Sequence, residues 1–73
     1  MSDSVTTWAE TAREKSGLSP EACAAAINRS RPTYDMREKA PGSFTLDEIS
    51  ALYLIYNDEG KNALWDFIKQ FKP

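Results

Sequence analysis

A chain of 73 residues, about half of a ~150-residue domain, has room for one compact domain over 1–73 and excludes a two-domain enzyme. Hydrophobic residues at 41% and charged residues at 27% are globular proportions, not those of a disordered tail or a fibrous repeat. Nine Lys and Arg against eleven Asp and Glu give a net charge of -2, which excludes nucleic-acid binding by bulk charge and leaves only a local patch for such a role.

The punctuation of the chain predicts five helices. The first runs from about Val5 to Ser16, with Thr7 and Glu10 spaced as a capping box and Gly17 as its left-handed stop. Trp8 and Ala12, with Val5 and Ala9 beside them, form its narrow apolar stripe. Ser19 caps the second, where Pro20 suits the first helical position and Glu21 favours the N-terminal dipole; Cys23, Ala24 and Ile27 share its inner face. Ser30 caps a short, polar third helix, which Pro41 ends by pushing Ala40 out of the helical region. The capping box from Thr45 to Glu48 opens the fourth. Leu46, Ile49, Leu52, Tyr53 and Tyr56 cluster on one of its sides, with Ala51, Leu54 and Ile55 on the other, so it is expected in the centre, between the first three helices and the fifth. The fifth, about 59–71, carries Ala63, Leu64, Phe67, Ile68 and Phe71 on a broad face with Trp65 at its edge. No stretch alternates with period two, and the class is all-α.

The chain has one cysteine and no histidine, so an internal disulfide and the usual zinc ligand sets are excluded, and Cys23 reads as a small buried hydrophobe. No general base stands ready for a nucleophile, and Gly17, Gly42 and Gly60 are too scattered to cradle phosphate. No enzyme activity, cofactor or small-molecule substrate is expected. The N-terminus lacks a basic segment followed by an apolar one, and the apolar run from Ile49 to Tyr56 is too short for a membrane span, so a cytoplasmic setting is expected.

The second and third helices are separated by only a few residues, which forces a sharp bend and close packing. Ala24 allows the approach, Asn28 tolerates a left-handed turn, and Tyr34 is the large ring able to anchor the third helix. This is a helix-turn-helix pattern formed by helices two and three. At these residues the chain resembles the lambda repressor and Cro-like (XRE) family of helix-turn-helix domains over nearly its whole length, with Ser19 to Lys39 as the motif. The resemblance also places Arg13, four residues before Gly17, and Glu38, four after Tyr34, at the positions of a partly buried ion pair. Arg37, where many members are apolar, and Pro32, often a polar base-reading position, depart from the pattern.

The resemblance implies that the third helix enters the major groove with Arg31, Pro32, Asp35 and Met36 nearest the bases. Charge agrees in part: between residues 29 and 39, four basic side chains face Asp35 and Glu38, a local +2, and the remainder carries -4. Arg binds guanine bidentately, and Pro or Met suits a thymine methyl. Arg29, Arg37 and Lys39 are candidate phosphate contacts. The same helix also reads as a mixed-charge solvated face. The function expected is that of a small sequence-specific DNA-binding regulator acting as a homodimer on double-stranded operator DNA by occupying it. The alternative is a protein-binding module of the same fold, an antirepressor or accessory partner, which the acidic total charge favours. The fifth helix has an apolar arc of about 200°, more than one docking surface needs, so Trp65 and Phe71 are candidates for a two-fold dimer interface.

Overall fold

The computed structural model describes residues 6–70. Five α-helices and no strand are present among the described residues: α1 (Trp8–Lys15), α2 (Pro20–Ala26), α3 (Arg31–Lys39), α4 (Leu46–Ile55) and α5 (Asp58–Lys69), with a single 3-10 turn at Pro41–Ser43. Side-chain oxygens open each of the five. Thr7, Ser19, Ser30, Thr45 and Asn57 accept from the amides of Glu10, Ala22, Thr33, Glu48 and Gly60 respectively, which satisfies donors that a first turn otherwise leaves unpaired. The box at Thr45 is complete, since the Glu48 carboxylate also accepts from the Thr45 amide at 3.0 Å. At Thr7 only the first half of the box forms, and the hydroxyl donates instead to the Glu38 carbonyl at 2.7 Å. The predicted start at Val5 lies outside the described residues; α1 begins at Trp8.

Two helices end alike. Gly17 (φ 69) and Asn28 (φ 59) are left-handed. Gly17 N–H donates to Glu14 O and Leu18 N–H to Arg13 O; Asn28 N–H donates to Ala25 O and Arg29 N–H to Ala24 O. These are the two bonds of a Schellman closure at the ends of α1 and α2.

The core joins Trp8, Ala9, Ala12, Cys23, Ala24, Ile27, Tyr34, Phe44, Leu52, Tyr56 and Leu64. Phe44 lies in the segment between the 3-10 turn and α4, and its ring stands 6.0 Å from Trp8 and 6.1 Å from Tyr34, bridging α1 and α3. The central position expected for α4 does not hold. Its main partner is α2, and α5 rests chiefly on α1; Leu46 and Leu54 are 82% and 80% exposed. The inward row of α4 is Glu48, Leu52 and Tyr56: Leu52 and Tyr56 come from the expected apolar side, whereas Leu46 turns outward and a carboxylate with two cationic partners occupies a core-facing position (below).

The α1–α5 contact explains the segment 57–60. Asn57 is the cap of α5, which begins one residue before the expected start, and Gly60 lies in its first turn. Asn57 Nδ2 donates to Lys15 O at 2.9 Å and the Asn57 amide to Ser16 Oγ at 3.1 Å, so the start of α5 is tied to the end of α1. A Cβ on Gly60 would stand 2.1 Å from Ser16 Oγ, 2.9 Å from Ala12 O and 3.1 Å from Tyr56 Cβ. The serine can rotate; the backbone carbonyl cannot. Gly60→Ala is therefore expected to cost about 1–3 kcal/mol in urea denaturation despite the better helix propensity of alanine. Gly42→Ala, with nothing within 4 Å, should stay within about 0.5 kcal/mol of the parent.

Candidate nucleic-acid interface

The turn from Ile27 to Ser30 sets α3 against α2. Ala24 and Ile27 are buried beneath it, and the left-handed Asn28 reverses the chain without a longer loop. Tyr34 is fully buried and fixes the inner face of α3. Burial pushes its phenol well above the ordinary value, with the neighbouring Glu38 and Cys23 adding to the shift. The Cys23 thiol is likewise pushed up by burial, so it is an unreactive packing residue.

The far end of α3 is clamped to α1. Arg13 Nε donates to Glu38 Oε1 at 2.9 Å and Nη2 to Oε2 at 3.3 Å, a bidentate pair with side chains 15% and 14% exposed. Arg13 Nη1 donates to Leu18 O at 3.2 Å. The guanidinium thus joins the end of α3 to the Schellman closure of its own helix, and the Thr7–Glu38 hydrogen bond adds a second tie. The hydrogen bond to Glu38 raises the Arg13 pKa against the opposing effect of burial.

With its inner face held, α3 presents the other. Arg31, Pro32, Met36 and Lys39 are exposed, Met36 to 69%, and Asp35 is partly so. The four residues read as base-contacting therefore lie on the outward side, but two of them are paired. Arg31 Nε donates to both Asp35 oxygens at 3.0 and 3.1 Å, one helical turn on, and its Nη1 to Glu21 on α2. Lys39 has no ion pair among the described residues.

Arg29 and Arg37, read as phosphate contacts, meet on one carboxylate. Arg29 Nε donates to Glu48 Oε2 at 3.0 Å, and Arg37 Nη1 donates to Glu48 Oε1 and, at 3.1 Å, to Ser43 O. The Glu48 side chain is 5% exposed, against 51% for Arg29 and 22% for Arg37. Burial opposes its charged form, but the Thr45 amide and the two guanidinium groups outweigh that and hold the carboxyl below its ordinary pKa. Arg37 is thus half-buried against a counter-charge.

Neither Glu21 nor Glu48 is singled out by sequence reading, which sees them as helix-start residues only. For Glu48 a signal exists: it precedes Leu52 and Tyr56 at four-residue spacing, and a carboxylate in line with core residues demands cations. Counting these partners, the cluster around α3 holds Arg13, Arg29, Arg31, Arg37 and Lys39 against Glu21, Asp35, Glu38 and Glu48, or +1. The local +2 of the sequence is halved by carboxylates from α2 and α4.

Between α4 and α5, Trp65 is 49% exposed and lines an apolar groove of about 400 Å³ with Ile49, Tyr53, Leu54, Leu64 and Ile68. Phe71 lies outside the described residues. No helix among the described residues is long and apolar enough to cross a membrane. In comparisons with known proteins no family model matches the chain, and no curated protein or solved structure matches it significantly.

Arg13→Met should cost about 2–4 kcal/mol, because it leaves Glu38 partly buried beside Tyr34 without a cation, while Arg13→Met combined with Glu38→Leu should recover most of the loss. Urea melts of the single and double variants measure this; equal losses would mean that the pair does not hold α3.

Proposed function

We propose that this chain is a helix-turn-helix DNA-binding regulator of the Cro and repressor type, with α3 as the recognition helix, acting as a homodimer on two-fold related double-stranded DNA. The observation that carries the reading is the mounting of α3: Tyr34 and the Arg13–Glu38 pair fix one face, and Arg31, Pro32 and Met36 project from the other. A short polar helix held by a buried ring and a bidentate ion pair is rigid enough to insert side chains into the major groove.

The pairing of Arg31 does not count against this role. Its partners Glu21 and Asp35 are 65% and 44% exposed, and pairs so hydrated contribute about 0–1 kcal/mol. A guanine that takes the guanidinium bidentately discriminates by about 1–3 kcal/mol, enough to displace them. The +1 of the cluster on a chain of -2 favours the second reading, in which the same face meets a protein partner. Salt separates the two, because release of counterions from several phosphates makes duplex affinity fall steeply with log salt, whereas a partner complementary to a net +1 gives a shallow slope.

Selection from a random duplex library followed by salt titration is the direct test. Arg31→Ala should lower affinity for the selected site by about 1–3 kcal/mol and relax preference at one base, whereas Lys39→Ala should weaken all duplexes alike and reduce the salt slope by about one. Absence of duplex binding at low salt and micromolar protein overturns the DNA reading in favour of the protein partner.

The dimer is assigned to the groove around Trp65. Leu54, Trp65 and Ile68 together are an exposed apolar surface, and a two-fold axis lets one copy's ridge enter the other's groove. Sedimentation equilibrium of Trp65→Lys should show weaker association with helical content retained; a monomeric parent at ~100 μM overturns the dimer.

A further inference from the structure

Arg29 comes from the turn before α3, Arg37 from near the end of α3, and Glu48 from the first turns of α4, so three separate stretches of chain converge on one point. Two guanidinium groups in contact with the same carboxylate repel one another. Glu48 is what brings them together: each of its oxygens is taken by a different arginine, and one also accepts from the Thr45 amide. The carboxylate is saturated and buried, while the arginines are not. Arg29 uses only its Nε–H and is half exposed; Arg37 uses Nη1, leaving Nε and Nη2 without partners among the described residues. The trio carries +1, with its spare donors on the cationic members and its negative charge turned inward.

We infer that Arg29, Arg37 and Glu48 are one built site for a phosphate group, in which the arginines donate to the anion and Glu48 is the positioning residue that holds them side by side. Bidentate and paired guanidinium donors match the oxygens of phosphate, and a single negative charge neutralises the trio. The assignment to backbone phosphate of a duplex rests on the proposed function; the site itself does not. It differs from the pairing of Arg31. That side chain is released from exposed carboxylates in order to bind, whereas Arg29 and Arg37 bind without leaving Glu48. Their position is therefore set before the ligand arrives, and the ordering cost of two long side chains is already met in the free protein.

The test has two arms. In the first, inorganic pyrophosphate is titrated into the ¹⁵N-labelled protein while the arginine side-chain resonances are followed. Arg29 and Arg37 should shift together and saturably, with Arg13, tied to Glu38, unmoved. Glu48→Gln should weaken this response at least ~fivefold with circular dichroism unchanged. Equal or tighter pyrophosphate binding by the variant overturns the inference, because Glu48 then competes with the anion instead of building its site. If Glu48→Gln does not fold, Arg29→Gln, altered at a half-exposed side chain, replaces it: Arg37 must lose its response by the same factor, and an unchanged Arg37 overturns the inference. In the second arm, Glu48→Gln should lower duplex affinity ~10-fold for selected and scrambled sequences alike and reduce the salt slope by about one contact. An unchanged slope overturns the duplex assignment, and a parent that binds pyrophosphate but no duplex overturns the DNA reading while leaving the phosphate site standing.

Discussion

The position of α3 depends on one guanidinium. Arg13 reaches from α1 to both oxygens of Glu38 and also to the Leu18 carbonyl, so it fastens the last turn of α3 to the end of α1 and to the chain entering α2. Without it, the last turns of α3 would keep the Thr7–Glu38 hydrogen bond to α1 and the Arg37–Glu48 pair to α4. Neither is a bidentate tie between α1 and this helix of nine residues, as the Arg13–Glu38 pair is. The pair is expensive to bury, and an apolar replacement of both partners could stabilise as much. What an apolar pair lacks is direction: two parallel hydrogen bonds fix the rotation of α3 about its axis as well as its distance from α1, and that rotation decides which side chains face outward.

Ion pairs in this chain fall into two kinds by burial, and the difference separates what they do. Arg13–Glu38 and the Arg29–Glu48–Arg37 trio each contain a carboxylate that is at least 86% buried, and their geometry persists because an unpaired charge there is costly. Arg31 with Glu21 and Asp35, and Lys69 with Asp66, are exposed on both sides and exchange readily with water or another partner. The first kind places elements and side chains, and the second leaves its cation free to be taken. A surface made of both kinds has fixed and releasable cations on the same helix.

The parts of this architecture that were legible in the sequence are those written in local chemistry. The caps at Ser19, Ser30 and Thr45, the left-handed stops at Gly17 and Asn28, and the approach allowed by Ala24 are each decided within a few residues, and each was readable. What was not readable depends on partners distant in the chain. Phe44 belongs to no periodic pattern, so its place between Trp8 and Tyr34 follows only from the packing of α1 on α3. Glu48 turned inward, and Leu46 and Leu54 outward, because counting apolar side chains around α4 gives no weight to a carboxylate that two arginines neutralise. Gly60 falls inside the helix expected from about residue 59, but the need for a glycine there follows only from the closeness of Ala12 O to α5. In the candidate interface, the outward row of α3 was an implication of the motif's resemblance and not of its spacing, and the carboxylates that engage it were not legible at all.

The distribution of acid along the helices bears on why an acidic chain can present a cationic face. Glu10 in α1, Glu21 in α2, Asp47 and Glu48 in α4, and Asp58 and Glu59 in α5 occupy first turns, where they offset the partial positive charge of the helix start. The first turn of α3 holds no acidic residue; Arg31 and Pro32 stand there instead. Four of the five helix dipoles are thus compensated by their own sequence and one is left open, at the helix whose outer face carries the releasable arginine. The omission costs α3 some stability as an isolated helix, a loss made up by Tyr34 and by the ties from Glu38 to α1. It leaves the positive end of the α3 dipole without an acidic residue of its own first turn, next to the turn at Asn28 and the half-exposed Arg29. Local charge pattern and tertiary placement therefore act on the same surface, although only the first is visible without the fold.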